Sequence, residues 1–125
     1  MSGERDTAPG DRTAVSLEPC GRDRPRHELP ALDEAALAAA RAADLLLEAA
    51  SAAGIERWRA VIAPLPAHLR DDPPSALAVT ARRARAIFGP KDSIRDALPD
   101  ELTLPFRDAL DRLLRELARL EAEGR

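Results

Sequence analysis

The chain has 125 residues, 45% of them hydrophobic but only 2% aromatic, and a formal net charge of −3. That length allows one modest core, built here from leucine and alanine with little area per residue. The balance of 19 basic against 22 acidic residues supplies neither a nucleic-acid-binding surplus nor an acidic tail.

Residues 1–30 read as a disordered tail. Gly3, Gly10, Gly21, Pro9, Pro19, Pro25 and Pro30 punctuate closely mixed charges, and there is almost nothing to bury. Five arginines face six carboxylates there, and the one basic run, Arg22-Asp23-Arg24-Pro25-Arg26-His27, is expected to stay solvated. Cys20, the single cysteine, has no partner for an intramolecular disulfide and reads as an incidental thiol. No charged-then-apolar leader opens the sequence, so a cytoplasmic location is the expectation.

The first predicted helix covers 33–53, with Asp33 as N-cap and Gly54 just past its end. At 100° per residue, Asp33, Glu34, Arg41, Asp44, Glu48 and Ser51 share a narrow polar stripe. Leu45, Leu46, Leu47 and a dense set of alanines fill most of the remaining arc. A surface helix ordinarily has the reverse proportion. This helix therefore calls for neighbours on most sides, from a bundle or from a second chain, and Leu45, Leu46 and Leu47 become candidate interaction residues. Arg41, Asp44 and Glu48 rule the segment out as a membrane span.

A second helix is predicted over 55–63, with Ile55, Trp58, Val61 and Ile62 on one face and Pro64 and Pro66 ending it. His68 and Leu69 fall in an irregular turn. His68 with Asp71 and Asp72 lacks the further histidine or cysteine that a transition-metal site requires, so no metal or cofactor is expected.

Asp72-Pro73-Pro74 predicts the start of a third helix, with Asp72 as cap. This helix runs to Phe88 and turns Leu77, Ala81, Ala84, Ile87 and Phe88 inward. Arg82, Arg83 and Arg85 lie opposite and form the one local basic patch, which could face the acidic stripe of the first helix. A short turn over 93–98, capped by Asp92 and cut by Pro99, follows. The last helix, 104–121, repeats Phe106, Leu110, Leu113, Leu117 and Leu120 at spacings of 4, 3, 4 and 3, a rhythm suited to a bundle or a coiled coil. Arg107–Asp111, Asp108–Arg112, Asp111–Arg115 and Arg112–Glu116 are possible i,i+4 pairs on its polar side.

No segment has strand periodicity, so the fold class is all-α: a small four- to five-helix bundle over 31–125 behind the tail. Catalytic groups are scarce, with two histidines, one cysteine and no tyrosine, and no enzyme is expected. The leading functional reading is a non-enzymatic helical protein–protein interaction module, a homo-oligomeric accessory or regulatory protein. Its partner is another protein or a second copy, with no membrane involved. The alternative is a small nucleic-acid-associated regulator using the Arg82, Arg83 and Arg85 face, although that patch has no aromatic for base stacking. Asp92-Ser93-Ile94 resembles the Asp-Ser-Leu segment of acyl and peptidyl carrier proteins. The resemblance implies phosphopantetheine attachment at Ser93. It covers about six residues, and Pro99 ends the following helix sooner than the carrier pattern does.

Overall fold

Alanine spacing in the first helix governs how the chain packs. The computed structural model describes residues 24–123, whose regular elements are all helices, with no strand among the described residues. Helix α1 (Pro30–Ala52) buries Leu32, Ala35, Ala36, Ala39, Ala40, Ala43, Leu46 and Ala50. Short side chains let other backbones come close, and α1 packs against α5 (Asp100–Glu123), α3 (Leu65–Asp71) and α2 (Glu56–Ile62). Helix α4 (Pro74–Ala86) closes the ring by packing on α5 and α3. The core is the space these helices enclose. Among the described residues no helix is long and apolar enough to cross a membrane.

Helix α1 starts earlier than the sequence predicts, at Pro30 and not at Asp33. Proline suits the first helical position because the N–H it lacks would have no partner there. Asp33 instead lies in the first turn, its N–H donating to the Leu29 carbonyl at 2.8 Å. Residues 24–30 thus belong to the folded body: Arg26–Glu28 form a short 3-10 helix and Leu29 is buried. The rest of the predicted tail, including Cys20, lies outside the described residues. At the other end Gly54 takes φ +69°. Its N–H reaches the Ser51 carbonyl at 3.1 Å and that of Ile55 reaches Ala50 at 3.0 Å, the two bonds of a Schellman stop.

The prolines after α2 start a helix where an irregular turn was expected. Pro66 sits in the first turn of α3, where its ring is tolerated, and Leu65, Pro66 and Leu69 are buried. In α2, Trp58 and Ile62 are buried but Val61 is 41% exposed, contrary to its predicted place on the inner face. Helix α4 begins at Pro74 with Pro73 as its cap. Asp72 does not cap it, because its carboxylate is engaged by His68 Nδ1 at 2.9 Å. The inner face of α4 is Leu77, Ala81 and Ala84; Ile87 and Phe88 follow the helix and are half-buried.

Ser93, not Asp92, caps the 3-10 helix Ile94–Asp96. Its Oγ accepts from the Arg95 N–H at 3.1 Å while its own N–H donates to Asp96 Oδ2 at 3.2 Å, a reciprocal capping box. Asp92 has φ +52° and is therefore outside the extended conformation that an N-cap requires. Helix α5 begins four residues before the predicted 104 and contains Pro105. Proline removes one N–H from the ladder, yet Leu102 and Thr103 both donate to the Pro99 carbonyl and hold the first turn. The predicted seam of Phe106, Leu110, Leu113, Leu117 and Leu120 is buried, together with Thr103.

Candidate docking surface

The three leucines singled out on α1 have different fates. Leu46 is fully buried and Leu47 packs half-buried against the core, so Leu46 is a core residue and presents no contact surface. Leu45 is 56% exposed. The broad apolar arc is thus largely covered within the chain.

The arginines of α4 also separate. Arg85 Nε donates to Asp111 Oδ1 of α5 at 2.7 Å, and its guanidinium lies over the Phe88 ring at 5.6 Å. Arg82 and Arg83 are exposed and form no ion pair among the described residues. The acidic stripe of α1 does not face them. Asp33 pairs with Arg26 at 2.9 Å, Glu34 with Arg112 at 3.2 Å and Asp44 with Arg70 at 3.4 Å. Three separate elements therefore supply the cations, and the pairing with α4 that the two patches allowed is not made among the described residues.

Ser93 is 9% exposed, and its hydroxyl is occupied as a cap. His27 stands exposed on the first 3-10 helix. Glu56 accepts a hydrogen bond from Arg59, which holds its carboxyl below the ordinary value and raises the Arg59 guanidinium. Neither residue lines the groove between α2–α3 and α4. Among the described residues no cluster of three His, Cys, Asp or Glu could hold a metal ion.

The concave feature that stands out is a groove of about 510 Å³ between α2–α3 and α4. Val61, Pro64 and Leu65 form one wall, and Ala76, Val79, Ala84 and Ile87 the other. Its polar lining residues are His68, Asp72, Thr80 and Arg83. Because a carboxylate only accepts, the 2.9 Å contact to Asp72 places the hydrogen of His68 on Nδ1. Val79 is 45% exposed and Val61 41%, so two β-branched side chains meet solvent in one depression. A floor of that kind with a cation in its lining can bury an apolar side chain or helix face and hold a carboxylate beside it.

Of the six residues marked in the sequence, only Arg83 lines this groove; Arg82 lines a smaller depression of about 240 Å³ between α4 and α5. Sequence reasoning missed Val79 although a signal existed. Val79 lies off the Leu77, Ala81, Ala84 face, an apolar residue on the polar side of its helix. Val61 had no such mark, because it shares the periodicity of buried Trp58 and Ile62. No protein-family model, no curated protein and no solved structure matches this chain.

Proposed function

We propose that this protein is a non-enzymatic helical-bundle interaction module that receives an apolar helical segment of a protein partner in the α2–α3/α4 groove. The observation that carries the reading is the pair of exposed valines, Val61 and Val79, in one concave site with Arg83, which has no ion pair among the described residues. Contiguous exposed apolar surface framed by polar groups marks binding sites more often than chance exposure does. A groove between helices takes an amphipathic helix through its apolar face.

The test is a titration with an anilinonaphthalene dye in dilute solution. The native chain should enhance dye fluorescence, and Val79→Glu should remove most of the enhancement while leaving far-ultraviolet circular dichroism unchanged. A native chain that gives no enhancement, or a variant that keeps it, would exclude the groove as a docking surface. The second reading, nucleic-acid binding, draws on the exposed guanidiniums of Arg82 and Arg83, which have no ion pair among the described residues. It requires affinity that falls steeply with salt and survives Val79→Glu.

A further inference from the structure

We infer that the occupant of the groove is a second copy of this chain, seated so that the two α4 helices run antiparallel about a two-fold axis near Val79. The inference rests on the docking reading above and adds the identity and geometry of the partner.

Charge polarity along α4 carries the argument. Asp71 and Asp72 stand just before its N-terminus, and Arg82 and Arg83 occupy its C-terminal half. In an antiparallel pair centred on Val79, a residue n places after the centre lies beside the residue n places before it. Arg83 lies roughly 6 Å along the axis from Val79, and Pro74 roughly 8 Å the other way. By that rule Arg83 lies beside the partner's Ser75, and the partner's Asp71 stands four places further on, roughly 6 Å along the axis, a distance that an extended arginine side chain spans. Two-fold symmetry makes that pair twice. A parallel arrangement would set arginine against arginine.

The charges concerned are available. Asp71 is exposed, and neither it nor Arg83 is in an ion pair among the described residues. Many of the other described arginines are engaged: Arg26, Arg59, Arg70, Arg85, Arg95, Arg112 and Arg119 reach carboxylates, whereas Arg41, Arg57, Arg82 and Arg115, like Arg83, have no carboxylate partner among the described residues. The surface between the charges is also suited to a close helix. Ser75, Ala76, Val79 and Thr80 are small, so two axes can approach to the lower end of the 8–10 Å range for packed helices. Val61 offers apolar cover on the far wall. Antiparallel helix dipoles attract. An isologous contact also closes on itself, whereas a head-to-tail contact can propagate.

The test uses light scattering on the full chain over a concentration series. The native protein should double in mass as concentration rises, and Val79→Glu should remain monomeric with unchanged helicity. Arg83→Glu should weaken the dimer by about tenfold, because symmetry counts each exposed pair twice. Adding Asp71→Arg to that variant should restore it. In a Cys20→Ser background, Val79→Cys should oxidise to a covalent dimer, since the axis passes near that position.

A native chain still monomeric at about 1 mM, the weak limit of specific association, would overturn the inference. So would a dimer indifferent to both Val79→Glu and Arg83→Glu. Monomer with Val79-dependent dye binding would leave the docking reading standing and assign the groove to another protein. Monomer without such binding would remove both.

Discussion

Arg26 shows how much one side chain can join. Its side chain is only 10% exposed. Nε donates to Asp33 Oδ1 at 2.9 Å, and Nη1 donates to the carbonyls of Leu69 at 2.8 Å and Asp72 at 3.1 Å. Two carbonyls at the end of α3 are thereby satisfied, while Nη2 is buried with no hydrogen-bond partner among the described residues. The planar fork of arginine can serve acceptors in different directions; a lysine ammonium on a flexible stem does so less well. Arg26→Ala should lower unfolding free energy by about 2 kcal/mol in urea titration, because charge-assisted bonds to partly buried acceptors are lost. Arg26→Lys should recover less than half of that. Full stability in Arg26→Ala would mean that these bonds merely replace equivalent ones to water. None of this was legible locally. Arg26 reads as one more charge in a solvated run, and its backbone acceptors lie 43 and 46 residues further along the chain.

For whole elements the alanines of α1 decide the packing distance. Ala35, Ala36, Ala39 and Ala43 have no exposed surface, so the neighbouring helices lie directly on their methyl groups. Ala39→Leu should destabilise the protein by about 3 kcal/mol, the upper end of the usual cost of overpacking a close-packed site. Thermal unfolding followed by circular dichroism would measure it, and an unchanged midpoint would mean that α1 has room at this contact. The pattern of α1 announced that most of its circumference needed cover. It could not say whether the cover came from this chain, since periodicity gives a direction and names no neighbour. Ion pairs on α5 make the same point. Asp111 pairs with Arg85 and Arg112 with Glu34 across helices, while Glu116 takes Arg119 three residues along α5 itself. Tertiary partners brought alongside the helix displace the i,i+4 partners that spacing alone predicts, because each intrahelical pair is worth only about 0.2–0.5 kcal/mol.

Across the molecule two apolar positions behave oppositely, and the contrast separates core from surface. Leu46 is sealed among the helices, so Leu46→Asp would bury an uncompensated charge. That cost, several kcal/mol, is comparable with the total stability of a small domain, about 5–15 kcal/mol. The variant should lose most of its helical circular dichroism at 25 °C. Val79→Glu, at a site 45% exposed, should keep it. Retained helicity in Leu46→Asp would mean that the first helix is not packed as described. The comparison also shows what the sequence could distinguish. Both residues are apolar and helical, but Val79 lies on the polar side of α4, off the Leu77, Ala81 and Ala84 face, whereas Leu46 lies within the broad apolar arc of α1.

The helical class, the inner seam of the last helix from Phe106 to Leu120, the inner face of α4 at Leu77, Ala81 and Ala84, and the stop at Gly54 follow from the sequence alone. Each depends on a local rule: the 3.6-residue period, or the ease with which glycine adopts positive φ. The helix made by 65–71, the clasp of Arg26 and the groove between Val61 and Val79 were decided only by the tertiary structure. Each requires a neighbour from a distant part of the chain, or a gap where none arrives. A groove is such a gap, set by how far apart short helices come to rest, and the spacing of residues along one helix contains no measure of that distance.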